Sequence, residues 1–505
     1  MFSATPEYNE LVSILNEYKT TDTRQTRIIY LTGRGGTGKS ENTLHALNEV
    51  YGSTHEVLCL TPTNVAKNNL LDKGFENVQT IHSTLGVGRA SHIENLLLSI
   101  QYKYKSKARY IKRTENILAP YKAIFIDECF MVGPHIMHFL MDSIEATGRT
   151  DIILIFAGDP HQLPSIKPMA FGNLGISNSK KNYRQYMNMG IHSTSFYYFK
   201  HFLMKPSDKV ISFQKNFRCT NEKFNLGIKQ LEQGITQHTW SLFEKEISIF
   251  DDFDKLPNHI KNYTKMAYFN DTVSTHNQSR LDTFKDVYIQ FKQKDGTFAS
   301  SSKIDIDKRA VNSALGDGRI KIIINDCPLK TDLKIKKNVP IIMNYSDKEN
   351  PKRYINGQRG IFLDYNSEID QCLIDFGNEQ IWVEKITVEP DQCDIDDGFE
   401  IAFTQFPFDI AFSVSIHKMQ SLGKNNLILE PDFLHDYCPN GNQNYMDSEK
   451  KLSALYTAMG RIKDPKTLFI SKHNTDFIKA FLNSVHVNPN RFDLLNVWDD
   501  DEMIA

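Results

Sequence analysis

Short apolar runs separated by longer polar stretches set the pattern of the first third of this chain. Ile28–Leu31, Val57–Leu60, Ala123–Ile126 and Ile152–Phe156 are continuously hydrophobic, without the period-two alternation of a half-exposed strand. Runs of this kind fit central parallel strands covered on both faces. The segments between them are long enough for helices. The pattern therefore predicts an open α/β sheet, with its ligand site at the carboxyl ends of the strands.

A second set of runs follows late in the chain: Met266–Phe269, Ile410–Val414, Leu427–Leu429 and Thr467–Ile470. It predicts a second α/β domain. The region near 335–390 reads differently. Val339–Met343, Gly360–Asp364, Gln371–Asp375 and Gln380–Val383 are strand-like, and Asn356-Gly357 supplies a turn. A small all-β insertion is expected there.

Composition narrows the class. A chain of 505 residues exceeds one compact core, so several domains are expected. The formal net charge is −2, which leaves no global basic signal for nucleic acid. Any such site must be a local patch. One segment qualifies. Ser91–Ala119 carries Lys103, Lys105, Lys107, Arg109, Lys112 and Arg113 interleaved with Tyr102, Tyr104 and Tyr110. Cations with aromatics suit phosphate contacts and base stacking, and they suit a solvated helix face or hairpin equally well. The cysteines are scattered with no CxxC pair, which argues for a reducing, intracellular compartment and against a zinc module or disulfide frame. No apolar run reaches transmembrane length and no signal-peptide pattern is present, so no membrane partner is expected. Little chain precedes the first glycine-rich loop, so an accessory N-terminal region is expected to be absent or removed. The acidic run Asp499–Glu502 reads first as a solvated tail.

The chemistry concentrates at Gly33-Arg34-Gly35-Gly36-Thr37-Gly38-Lys39-Ser40, which fits GxxxxGK[ST] at every fixed position. It follows the Ile28–Leu31 run and precedes a segment able to open a helix, the context a phosphate-binding loop requires. Gly33, Gly35, Gly36 and Gly38, with Thr37, let backbone N–H groups turn toward phosphate oxygens. Lys39 brings positive charge to the β- and γ-phosphates, and the Ser40 hydroxyl suits Mg2+. The alternative is a glycine turn with no ligand, which the complete pattern outweighs. Ile124-Phe125-Ile126-Asp127-Glu128 is a strand ending in two carboxylates. Asp127 suits Mg2+, and Glu128 suits the base that polarises the attacking water. Gln162, in Gly158-Asp159-Pro160-His161-Gln162-Leu163-Pro164, suits a γ-phosphate sensor, although the segment also reads as a Gly/Pro turn. Arg218, in Asn216-Phe217-Arg218, and Arg461, in Tyr456-Thr457-Ala458-Met459-Gly460-Arg461, are candidates for neutralising charge on a transferred phosphoryl group. Each alone would read as an ordinary surface arginine.

Taken in order, these segments resemble the motifs of superfamily 1B DNA helicases of the RecD/Dda/PIF-type group. Gly33–Ser40 resembles motif I, Thr61-Pro62-Thr63 with Ala66 motif Ia, and Thr80-Ile81-His82 motif Ib. Asp127-Glu128 resembles motif II, Gly158–Pro164 motif III, and Asn216-Phe217-Arg218 motif IV. Ser415-Ile416-His417-Lys418-Met419-Gln420 resembles motif V, and Tyr456–Arg461 motif VI. Pro134–Ile144 stands where PIF-type helicases carry a signature helix.

The resemblance implies an α/β fold of two RecA-like parallel-sheet domains, at 1–205 and 206–505, with ATP bound between them. It implies a wedge insertion at about 86–119 in the first and an SH3-like β insertion at about 335–400 in the second. The stretch Tyr354–Gly360 resembles a turn of that insertion. The implied activity is ATP hydrolysis coupled to 5′-to-3′ stepping on single-stranded DNA and unwinding of tailed duplex DNA, in replication, repair or recombination. The implied unit is a monomer, with a single-strand-binding protein or replication factor as a further partner. Thr63, His82, His417 and Lys418 match positions at or near the strand-binding face. The chain departs from the family in lacking a glutamine upstream of motif I to read adenine, Asn9 being the nearest substitute by position. Met419 and Ser421 replace the usual serine and glycine of motif V, and Gly460 the usual serine of motif VI.

Other readings are an RNA helicase, a weakly hydrolysing nucleic-acid-binding replication factor, and a small-molecule kinase. The last leaves the later motifs and the second α/β domain without a role.

Overall fold

The computed structural model describes residues 4–20, 27–85, 112, 114–145, 147–149, 151–164, 196, 199–205, 207–286, 289–292, 299–300, 329–330, 332–347, 353–388, 399–400, 403–419, 425–435 and 445–487. Most of the basic, tyrosine-rich segment and of the expected wedge insertion, Gln420, Ser421 and the acidic run 499–502 lie outside the described residues. The chain divides into two compact units, residues 1–269 with 415–505, and residues 270–414.

The first unit contains a parallel sheet built from β1 (Arg27–Gly33), β2 (Val57–Thr61), β3 (Val78–Thr80), β4 (Ala123–Ile126), β5 (Ile153–Gly158) and β6 (Lys209–Phe213). Their order is β3-β2-β4-β5-β1-β6, with every neighbour parallel. The absence of alternation in the sequence has its cause here. Ile28, Tyr30, Ile124 and Phe156 bury on one face against Phe130, Met137 and Phe199. Ile29, Leu31, Phe125 and Ile155 bury on the other, against helices α1 (Pro6–Thr20) and α2 (Lys39–Tyr51) through Leu11, Leu15, Leu44 and Leu47. A strand covered twice has no polar face to show. Helix α3 (Asn64–Lys73) begins where the Thr63 hydroxyl accepts the Ala66 N–H at 3.2 Å. Helix α4 (Pro134–Glu145) occupies the place of the expected signature helix.

The boundary expected at 205–206 falls inside this unit, because β6 lies beyond it and pairs with β1 along Ile29–Gly33. The same unit holds a second set of parallel strands. They include β7 (Ser248–Phe250) and β8 (Thr264–Ala267), then two strands that follow residue 415. The Met266–Phe269 run is only partly strand: the ladder ends at Ala267, and Tyr268 and Phe269 lie beyond it.

The unit 270–414 carries an antiparallel sheet of β9 (Val339–Met343), β10 (Arg359–Asn366), β11 (Gln371–Asp375), β12 (Gln380–Glu384) and β13 (Phe408–Ile410), ordered β12-β11-β10-β9-β13. Gly357, at φ 88°, makes the turn between β9 and β10, and its N–H returns to the Met343 carbonyl at 2.8 Å. The expected Ile410–Val414 strand is split, its first residue closing β13. Phe362, Phe406, Phe408, Ile374 and Val383 form the core of this unit.

After residue 415 the chain supplies β14 (Leu427–Leu429) and β15 (Leu468–Ser471), giving the parallel run β8-β14-β15-β7 within a five-stranded sheet. Helices α5 (Glu222–Glu232), α6 (Tyr445–Met459) and α7 (Lys472–Ser484) complete the first unit. Among the described residues, no helix is long and apolar enough to cross a membrane. Cys59, Cys129, Cys219 and Cys372 are buried free thiols.

Candidate active site at the phosphate loop

The loop from β1 to α2 turns through residues that a side chain would obstruct. Gly36 sits at φ +89°, and a Cβ there would stand 2.5 Å from Arg218 Cβ and 2.9 Å from Asn216 Oδ1. The loop is thus in direct contact with the 214–218 segment. The Phe217 N–H donates to the Gly36 carbonyl at 2.8 Å. Arg34, in a variable position of the loop, donates to the carbonyls of Gln214 (2.9 Å) and Asn225 (3.1 Å) and lies 3.4 Å from the Glu232 carboxylate on α5.

Lys39, the first residue of α2, donates to the loop carbonyls of Gly33 and Arg34. Burial pushes its ammonium pKa down, while Asp159, Glu128 and Asp127 act to hold it up. The Ser40 hydroxyl donates to Asp127 Oδ2 at 3.1 Å. Asp127 stands at the end of β4. Burial, then the neighbouring Glu128, raises its pKa to about 6. Glu128 adopts the left-handed region, φ 52° and ψ 41°, which places consecutive carboxylates on a sharp turn.

Gln162 is buried behind them. Its Nε2 donates to Asp159 Oδ2 at 2.9 Å, and its Oε1 has no partner among the described residues. Asp159 Oδ2 also accepts the Tyr456 hydroxyl at 2.8 Å, and Asp159 Oδ1 accepts the His161 N–H. Burial first, and Asp159 second, push the Tyr456 phenol far up, so it stays a donor. Beside this pair the Leu163 N–H donates to Thr457 Oγ1 at 2.9 Å. The loop after β5 is therefore fastened to α6, the helix that leads to Arg461.

Both arginines face the loop. A Cβ on Gly35 would lie 2.9 Å from Arg461 Nη2, 3.1 Å from Arg218 Nη1 and 3.5 Å from Gln162 Nε2. Arg218 Nη1 donates to the Gly460 carbonyl at 2.9 Å. Burial, reinforced by Arg461 beside it, lowers Arg218 to about 10. Arg461 is 1% exposed and its Nε has no partner among the described residues. Two guanidinium groups held this close, with open donors, make a site for concentrated negative charge.

A cavity of about 680 Å³ opens over these groups, lined by the loop from Gly35 to Ser40, Asp127, Glu128, Gln162 and Arg218. The volume suits a nucleotide. Asn42, Asn69, Lys73, Phe217 and Lys463 are among the other residues that line it. Asn9 does not line it. The Asn9 side chain is exposed on α1, and the amide that approaches the loop is Asn42, whose Nδ2 donates to the Gly38 carbonyl at 2.8 Å.

The candidate strand contacts lie elsewhere. Thr63 follows β2 with its hydroxyl engaged as a helix cap, and His82 follows β3, its pKa lowered by burial. His417 and Lys418 occupy the short helix Ile416–Met419, and burial takes His417 down to about 4. The sequence reading gave no role to Arg34, Asp159 or Tyr456. All three stand inside the motif segments, but only the fold brings Tyr456 to Asp159 and Arg34 to Glu232.

Residues 18–168 match the AAA domain family. Over 476 residues the chain is 23% identical to the ATP-dependent DNA helicase Pif1 of Campylobacter jejuni subsp. jejuni serotype O:2, covering 92% of this chain and 93% of that protein. Its fold resembles that of the Pif1 helicase from Candida albicans, with a TM-score of 0.60 and 16% identity over 95% of this chain and 96% of that one. It also resembles Bacteroides Pif1 bound to ssDNA, with a TM-score of 0.58 and 17% identity over 93% and 92%. The same protein in complex with ADP-AlF3 and ssDNA gives a TM-score of 0.58 and 17% identity over 95% and 94%. The two parallel sheets are those of two RecA-like domains. In sequence over nearly its whole length, and in fold, the chain is similar to Pif1 helicases.

Proposed function

We propose that this chain is an ATP-dependent DNA helicase and translocase, which hydrolyses ATP at the phosphate loop and steps 5′ to 3′ along single-stranded DNA. The observation that carries the hydrolytic part is the placement of Arg218 and Arg461 at Gly35 beside Gln162, with Lys39 and Glu128 lining the same cavity as Arg218. A simple phosphate-binding module needs no such pair. Lys39 and the loop amides hold the β- and γ-phosphates. Glu128 takes the proton of the attacking water, and Gln162 Oε1 orients that water or senses the γ-phosphate. The two arginines neutralise charge as it develops on the transferred group. Ser40 and Asp127, hard oxygen donors already in hydrogen bond, fit Mg2+, which when bound neutralises phosphate charge. Asn42, Asn69 and the half-exposed ring of Phe217 are left to recognise the base, in the absence of the usual glutamine.

Thr63, His82, His417 and Lys418 contact the strand, and ATP-driven motion of the two parallel sheets moves it. The antiparallel sheet of 339–410 is the SH3-like insertion, and the segment near 86–119 the wedge. Tailed duplex DNA is the unwinding substrate, the working unit is a monomer, and a single-strand-binding protein or replication factor is a partner. The relative named as a DNA helicase, and a neighbour bound to ssDNA, support DNA over RNA. Two assays test the reading: ATP turnover with and without oligo(dT), and unwinding of 5′- against 3′-tailed duplexes. Turnover indifferent to single strands sinks the motor. Unwinding of 3′-tailed duplexes alone sinks the polarity.

A further inference from the structure

At the carboxyl end of β8 the chain turns on a buried carboxylate. Asp432, 5% exposed, accepts the Tyr268 N–H at Oδ1 (2.7 Å) and the Phe269 N–H at Oδ2 (3.0 Å). This two-point grip on consecutive amides fixes the strand exit and the direction in which both side chains leave it. The Tyr268 ring lies 5.1 Å from Phe269, at 81°, and 5.1 Å from the His417 imidazole, at 58°. Phe433 backs Tyr268 at 5.8 Å. Phe269 is 45% exposed. Lys450 Nζ stands 5.8 Å from the centre of the Tyr268 ring, and Lys418, next to His417, is exposed.

An exposed ring on a mobile tip needs no explanation. An exposed ring on backbone held by a buried acid is a surface built to be covered. Its surroundings decide by what. The rings lie at the carboxyl edge of a parallel sheet, where such sheets bind ligands. Two lysines flank them, which a purely apolar partner would not require. Rings for bases, interleaved with cations for phosphates, are the chemistry of sequence-tolerant single-strand binding.

We propose that Phe269 and Tyr268, with His417, form a base-stacking platform for single-stranded DNA, and that Lys418 and Lys450 meet the adjoining phosphates. This rests on the helicase reading above and adds to it the residues that grip the bases.

The test measures affinity of the full chain for labelled oligo(dT), and for an abasic strand of equal length, across a salt series. Phe269→Ala weakens oligo(dT) binding between about fivefold and a hundredfold, the alanine penalty for one stacked base. The slope of log affinity against log salt stays as in the wild type, because no phosphate contact is lost. Phe269→Leu, which keeps an apolar side chain but no π face, falls with the alanine variant, and Phe269→Trp retains or tightens binding. The wild type prefers oligo(dT) to the abasic strand, and Phe269→Ala loses most of that preference. Wild-type affinity in the leucine variant, or an equal loss on both strands, overturns the platform. Failure of the wild type to bind oligo(dT) at low salt overturns the helicase reading and the platform with it.

Discussion

The Tyr456 hydroxyl donates to Asp159 Oδ2 at 2.8 Å, on the same oxygen that holds Gln162 Nε2. One carboxylate oxygen thus holds both Gln162 and the helix that leads to Arg461. Tyr456→Phe removes only the donor and leaves a buried carboxylate one partner short, at about 1.5–3 kcal/mol. The expected result is a lower midpoint in urea and a kcat reduced about tenfold, with KM for ATP changed less than threefold. A variant with wild-type kcat would show that the bond serves packing alone.

Arg218 and Arg461 approach the same glycine, so their substitutions should not add. Each change to alanine is expected to lower kcat by about a thousandfold, the lower end for a transition-state arginine, and the double variant only slightly more. Lysine at 218 does not rescue, because Nη1 is committed to the Gly460 carbonyl and a point charge lacks the second donor. Single-turnover hydrolysis checks this, with ADP affinity as the control for an intact loop. Lys39→Ala abolishes turnover in the same assay.

Gly36 separates sterics from charge. Gly36→Ala introduces a Cβ into the space of Arg218 Cβ at a φ of +89°. The expected cost is about 1–3 kcal/mol from backbone conformation alone, with a raised KM for ATP as the loop and Arg218 move apart. Thermal unfolding and steady-state kinetics together read both effects. Wild-type stability would mean that the loop accommodates the methyl group by shifting.

Glu232 gives a pH signature. Burial, then the charge of Asp159, raises its pKa from 4.5 to about 7, with Arg34 opposing. A carboxyl with a raised folded-state pKa is bound more tightly by its proton in the fold. The cost of ionising it therefore grows between pH 4.5 and 7 and is complete above 7. Glu232→Gln should match wild-type stability near pH 4.5 and exceed it by about 2 kcal/mol at pH 8. Urea unfolding of both proteins at several pH values checks the sign. A difference that is flat with pH would mean that the Arg34 pair fully offsets burial.

Much of this architecture was legible because the first sheet is covered on both faces. Ile28–Leu31, Val57–Leu60, Ala123–Ile126 and Ile152–Phe156 are uninterrupted and apolar, and all are strands. Edge strands escaped. Lys209–Phe213 pairs on one side only and carries Lys209 and Ser212, so it lacks the signature of a central strand. Tyr268 and Phe269 were read as strand because they continue an apolar run; Asp432, far along the chain, ends that strand. In the site, residues whose placement depends on local spacing were readable, notably Lys39, Ser40 and Asp127. Arg34 and Tyr456 were not, because their partners, Glu232 and Asp159, are distant in sequence. Asn9 was placed by position, but the helix it sits on turns its side chain outward.

The parallel order of β8, β14, β15 and β7 also fixes a sequence of events during synthesis. Thr264 pairs with Leu427, and Ser248 with Phe469, so the second sheet cannot close while the chain is still being made through residues 270–414. The first sheet needs nothing beyond Phe213. A nascent chain can therefore display a finished phosphate loop long before Arg461 exists. During that interval the phosphate loop stands without Arg461, and β7, whose partner strand begins only at Leu468, is the part that waits longest.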